Sequence, residues 1–306
     1  MVEANHGAAV VADGFGLRGP RGRVFRGIGF EAAPGSLVAL EGPSGSGRTC
    51  LLLALTGRMR THEGHAEVAG LRLPHKMAAV RRISALGPVP GVSDLDPALT
   101  VVEHLRERAL LQRRFDGSLK ALLRPPAERR AAARDRIDEA LAAAGLDLAA
   151  LAKGERTSVR DLDRLEALRL STALALIGRP RLLALDDTDL KLSDAERAEA
   201  WALLRSVAAA GTTVLAVCSE APEDALRVST TGAAGATAPA KDPAPAPAPA
   251  AKPAETAPEP EHEVEPEPER KPEADTDAEP GTKKTQKPQR TDENQKTEKG
   301  DADALA

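Results

Sequence analysis

The apolar run Leu37-Val38-Ala39-Leu40-Glu41 passes directly into Gly42-Pro43-Ser44-Gly45-Ser46-Gly47-Arg48-Thr49-Cys50, and that segment into Leu51-Leu52-Leu53-Ala54-Leu55. Few arrangements satisfy a glycine cluster held so closely between two apolar runs; a buried strand, a tight loop and a buried helix do so. The glycines let backbone N–H groups converge on phosphate oxygens, and a helix starting after Gly47 adds its positive N-terminal dipole. Gly42 to Thr49 fits the phosphate-loop pattern everywhere but at Arg48, where lysine is expected, and the Thr49 hydroxyl is placed to coordinate Mg²⁺. Arginine keeps the charge, yet its planar fork is bulkier than an ammonium and is no equivalent at a shaped site. Gly42, Pro43, Ser44, Gly45, Ser46, Gly47, Arg48, Thr49 and Cys50 are therefore the candidate nucleotide-binding residues.

Around this loop the pattern alternates strands with helices. Ala8–Ala12 and Ser36–Glu41 read as strands flanking a Gly/Arg-rich stretch, and His65–Leu73 as a short strand segment after a turn at Glu63-Gly64. From Pro74 to Gly154 the pattern is helical: Thr100-Val101-Val102-Glu103 has the form of a capping box, and Pro126–Ala144 stops at Gly145. Helical spacing over Asp161–Ile177 and Ser193–Ala210 brackets a buried strand, Arg181–Leu185, that ends in Asp186-Asp187. A last strand is expected over Thr212–Cys218. The alternation predicts an α/β fold with a mainly parallel sheet covered on both faces.

Composition sets the boundary of that fold. Of 306 residues, those from Thr231 to Ala306 hold 13 of the 24 prolines, no aromatic residue, and only Val264 and Leu305 as aliphatic side chains larger than alanine. Such a stretch cannot bury enough apolar surface to offset its ordering entropy. One domain is expected over residues 1–230, followed by a disordered Ala/Pro/Glu/Lys-rich tail over 231–306 with an extended Ala/Pro spacer at Asp242–Ala250. The expected domain carries 32 basic and 29 acidic residues, which is no nucleic-acid footprint. Cys50 and Cys218 give neither a disulfide framework nor metal-ligand spacing and read as buried reduced thiols. No apolar run reaches the roughly 18 to 20 residues that span a bilayer, and the N-terminus lacks the pattern of a signal peptide, so a soluble cytoplasmic chain is expected.

The segment PGSLVALEGPSGSGRTCLLLALTGRMRTHEGHAEVAGLRL resembles the first half of an ATP-binding cassette (ABC) nucleotide-binding domain. TVVEHL resembles the start of that family's helical subdomain, IGRPRLLALDD its Walker B strand, and GTTVLAVCSE its switch-histidine strand, so the likeness covers residues 8 to 225. The resemblance implies a P-loop NTPase: a RecA-like core, a small antiparallel β subdomain and a helical subdomain. It implies ATP and Mg²⁺ as ligands, with Thr49 and Asp186 toward the metal and Asp187 where a glutamate polarises the attacking water. It also implies an integral membrane permease or exporter subunit as partner, a second cassette in a homo- or heterodimer, and a place at the inner face of the cell membrane through that partner.

Several positions depart from the family pattern. Asp187 is one methylene short, which withdraws the base by about 1.5 Å, enough to cost about 100-fold where positioning is tight. The signature Leu-Ser-Gly-Gly-Gln falls on Leu162, Asp163, Arg164, Leu165 and Glu166, whose carboxylates are expected to face a partner cassette's phosphate, although Asp163 is also a good helix N-cap. Pro88 stands near the Q-loop glutamine, Ser219 replaces the switch histidine, and no aromatic lies at Arg18 to Pro20, where adenine is stacked; Phe15 and Phe25 occupy core positions. Impaired hydrolysis is the expectation. The alternatives are a non-catalytic pseudo-ATPase cassette acting as scaffold or regulator, the degenerate half of a heterodimer, and an interaction protein that works through its tail.

Overall fold

The computed structural model describes residues 7–20, 22–115 and 125–231. The expected tail therefore lies outside the described residues, apart from Thr231.

Two sheets are built. The first is antiparallel, in the order β2-β1-β4-β5, from β1 (Val10–Gly19), β2 (Gly22–Ala32), β4 (Glu63–Val68) and β5 (Leu71–Leu73). Here the structure extends the sequence reading: the Gly/Arg-rich stretch is itself the β1–β2 hairpin, paired from Val10↔Ala32 to Gly19↔Gly22 through several register shifts. Glycines and alternating arginines hide a strand that is buried on one face only. The second sheet is parallel, in the order β6-β7-β8-β3-β9, from β3 (Leu37–Glu41), β6 (Ser84–Leu86), β7 (Leu182–Leu185), β8 (Thr213–Cys218) and β9 (Leu226–Ser229).

Strands buried on both faces explain the unbroken apolar runs. In β3, Val38 and Leu40 join a core with α1 (Arg48–Leu55) and the antiparallel sheet, while Leu37 and Ala39 face the opposite way. That opposite core holds Trp201 and Leu204 of α6 (Asp194–Ala209). A third cluster unites α3 (Val101–Phe115), α4 (Pro126–Ala143) and α5 (Arg164–Leu176) through Val101, Leu105, Leu141 and Leu170. The short α2 (Met77–Ile83) leads into β6.

The expected stops and starts are present. Gly145 takes φ 61 just beyond α4, and Glu103 reaches back to the N–H and hydroxyl of Thr100 at 2.8 and 2.7 Å. Among the described residues no helix is long and apolar enough to cross a membrane.

Candidate functional site

Parallel strands in register bring their carboxyl ends to one edge, the usual crevice for ligands in such sheets. Glu41, the last residue of β3, lies opposite Cys218, the last of β8, and β7 on the far side of β8 ends at Leu185, immediately before Asp186. The glycine loop, Asp186-Asp187 and the segment after Cys218 therefore meet because of strand register, not proximity in sequence.

The loop is closely supported. Gly47 takes φ 85, and a Cβ there would lie 2.6 Å from the Val24 carbonyl of β2, so both conformation and space demand glycine. A Cβ at Gly42 would run into the Thr230 hydroxyl, which sits just after β9 and pairs with the Ser46 hydroxyl at 2.6 Å. Thr230 also donates its N–H to the Glu41 carbonyl at 3.0 Å. Nothing lies within 4 Å of where a Gly45 side chain would start, so the loop's crest is open.

Arg48 is the first residue of α1, and its Nη1 donates to the Cys218 carbonyl at 2.5 Å. Thr49 Oγ1 donates to Asp186 Oδ2 at 2.6 Å. Asp186 is 2% exposed. Burial raises its pKa most; the Thr49 bond opposes this, Asp187 raises it further, and the Asp187 N–H and the Arg48 charge lower it. Asp187 adopts φ 50 with its N–H on Asp186 Oδ1 at 2.9 Å, a left-handed conformation that a short carboxylate tolerates well. The missing methylene thus suits the backbone. Pro88 is close too, its carbonyl accepting the Asp186 N–H at 2.8 Å.

A hard cation suits this donor set. Among the described residues no three His, Cys, Asp or Glu side chains gather as a metal cage, and Mg²⁺ does not need one: one or two protein oxygens, water and phosphate oxygens suffice. The Thr49 hydroxyl and the Asp186 carboxylate are oxygens of that kind, 2.6 Å apart.

The signature positions form the start of α5, with Asp163 as its N-cap as expected. Asp163 accepts the Glu166 N–H at 2.7 Å and Glu166 accepts the Asp163 N–H at 2.9 Å, a reciprocal cap on α5. Each carboxylate thus takes one N–H of its own helix end, while Asp163 itself stays exposed. Leu165 is 6% exposed, Leu162 packs against the helical cluster, and Arg164 Nη2 donates to the Asp187 carbonyl at 3.2 Å. Phe15 and Phe25 are buried against each other, ring centroids 6.0 Å apart, so neither is offered to a base.

Ser219 follows β8 as expected, but its surroundings add a residue that the motifs do not mark. Asp189 Oδ2 accepts the N–H groups of Ser219 at 2.7 Å and Glu220 at 3.2 Å. Thr230 is the second such residue. Each meets its partner across a long stretch of chain, where no motif signals it. The two cysteines lie on opposite faces of the parallel sheet, in different cores, and so are not a disulfide pair. Burial, with Asp189 and Glu41 adding to it, pushes the Cys218 thiol up to about 12, against Arg48 and Arg227, which lower it.

Residues 25–189, more than half of the chain, match the sequence profile of the ABC transporter family. The chain belongs to the ABC transporter family. Its relatives include the Nod factor export ATP-binding protein I of Cupriavidus metallidurans, 31% identical over 61% of this chain and 55% of that protein, and its namesake in Paraburkholderia xenovorans, 30% identical over 63% and 56%. The chain thus spans about half the length of the curated relatives it matches. Similar solved structures include a dimeric bacterial ABC transporter cassette (TM-score 0.56, 19% identity, 72% of this chain and 94% of that one). Another is a bacterial Atm1-family ABC exporter with ATP bound (TM-score 0.53, 24% identity, 72% and 36%). These likenesses show the fold: a parallel core with an antiparallel sheet and a helical subdomain.

Proposed function

We propose that the chain is the ATP-binding subunit of an ABC-type transport system, binding ATP with Mg²⁺ at Gly42–Cys50 and hydrolysing it poorly. The observation that carries the binding half is the Thr49–Asp186 bond at 2.6 Å beneath an open glycine loop, a hydroxyl and a buried carboxylate ready to face one cation. Loop N–H groups and Arg48 would hold phosphate oxygens, Thr49 and Asp186 would hold the metal, and the Asp187 carboxylate would orient water. The bound Mg²⁺ would neutralise phosphate charge. The relatives' role in export favours an exporter or permease subunit as membrane partner, with a peripheral place at the inner face of the membrane.

The impaired half rests on the signature segment. With the Asp163 and Glu166 N–H groups already bonded within the segment, two carboxylates at the helix end and Leu165 where a glycine is expected, the segment is poorly suited to hold a partner's phosphate. This also supports the second reading: a pseudo-ATPase cassette, or one half of a heterodimer whose phosphate loop works against another cassette's intact signature. Residues 1–230 form the cassette in either case, and 231–306 its tail.

Calorimetry of the full chain with Mg-ATP is expected to show binding, abolished by Thr49→Ala with Asp186→Asn. Absence of binding overturns the proposal. Steady-state ATP turnover is expected to be at least about 100-fold below that of a cassette with intact motifs; turnover at ordinary rates overturns the impaired half, and recovery only with an intact second cassette selects the heterodimer.

A further inference from the structure

Arg48 poses a mechanical problem. A guanidinium carries five N–H donors in one rigid plane, so fixing one of them fixes the direction of the rest. In this chain the fixed donor is Nη1, on the Cys218 carbonyl. The aim of the Arg48 fork therefore depends on whether that carbonyl is itself held still.

Cys218 ends β8, and beyond it the ladder with β3 stops. What holds the strand's exit is a pair of contacts from the segment after β7. Thr188 places its N–H and hydroxyl on the Val217 carbonyl at 3.1 and 2.8 Å, and Asp189 Oδ2 takes the next two N–H groups, those of Ser219 and Glu220. Asp189 is 8% exposed. A buried carboxylate is a costly way to satisfy two amides that water or a hydroxyl serves as well, unless the rigidity of two charge-assisted bonds matters. The Cys218 carbonyl lies between the Thr188 contact on one side and the Asp189 contact on the other.

We propose that Asp189 is a positioning residue for Arg48: by clamping Ser219 and Glu220 it fixes the Cys218 carbonyl, which in turn holds the Arg48 guanidinium across the mouth of the phosphate loop. The inference rests on the reading that this loop binds a nucleoside triphosphate. It explains how arginine serves at a lysine position, since the extra donors are useful only when the fork is tied down. It also reverses a simple expectation: Arg48→Lys weakens binding, because a point-charged ammonium cannot hold the strand's exit and present a fixed fork to phosphate together.

The test is a double-substitution cycle on the full chain, read as Mg-ATP affinity by calorimetry alongside thermal unfolding. Asp189→Ala is expected to weaken binding about tenfold, and Asp189→Asn, which keeps an acceptor oxygen but not its charge, to weaken it only about threefold. In the Arg48→Lys background Asp189→Ala changes affinity less than about twofold, although it lowers the unfolding temperature equally in both backgrounds. Losses that multiply independently, or an Asp189→Ala protein that binds as tightly as the natural one, overturn the positioning role while leaving nucleotide binding standing. A natural chain that binds no Mg-ATP overturns both. Should Asp189→Ala fail to fold, Asp189→Leu, which has no acceptor, takes its place in the same cycle.

Discussion

Asp186 concentrates the electrostatic cost of the site in one side chain. Its folded pKa is raised, mainly by burial, so the neutral form is favoured in the fold. The resulting stability is fully present below the ordinary carboxylate value and is lost as pH rises through the raised one. Without nucleotide and metal, the stability of the natural chain relative to Asp186→Asn should therefore fall as pH rises from about 4 toward neutrality, read by urea denaturation. A difference that does not change with pH contradicts it. The thiols give a second check. Cys218 is buried with its pKa pushed up to about 12, whereas Cys50, expected to be buried, is only partly so and its thiol pKa is raised by burial and by Asp186; at pH 8 Cys218 should resist alkylation in the native chain and react after denaturation, with Cys50 reacting first, counted by intact mass. At this scale the sequence is legible where a residue acts through its neighbours, as at the Asp163 cap. It is silent where the partner is remote: Arg48 and Cys218 are 170 residues apart, Ser46 and Thr230 184.

The helix α5 shows an element's needs overriding an inherited motif. Asp163 and Glu166 form its capping box, and Leu165 fills its underside. Rebuilding a glycine-rich signature there should be destabilising: Asp163→Ala alone by about 1 kcal/mol, and Leu165→Gly by about 3–5 kcal/mol through the lost buried side chain and the helical glycine. Urea unfolding of both variants measures this, and a Leu165→Gly chain as stable as the natural one would show that the position is not committed to the core. The elements themselves were readable in proportion to their length and periodicity. The helices at Arg164–Leu176 and Asp194–Ala209 lie within the expected spans. Strands β6 and β9, of three and four residues, are too short to carry a period and owe their conformation to the neighbours they pair with.

At the scale of the molecule, the edge strand β9 matters most for where the fold closes. It pairs with β3 from Val38↔Leu226 to Glu41↔Ser229 and covers what is otherwise the exposed side of the strand that carries the phosphate loop. A chain cut after residue 231 should unfold at the same temperature as the full chain. One cut after residue 225 should unfold about 4–8 °C lower, corresponding to about 2 kcal/mol, by calorimetry. The proposed limit of the cassette at Thr231 rests on the composition shift there, because apolar content decides what can be ordered. That shift gave no hint of which strand lies last in the sheet. That arrangement brings the exposed Thr231 next to Thr230, whose hydroxyl touches Ser46 of the loop. A fluorophore attached through Thr231→Cys would therefore sit beside the glycine loop without replacing any of its residues, and would turn occupancy of the loop into an optical signal.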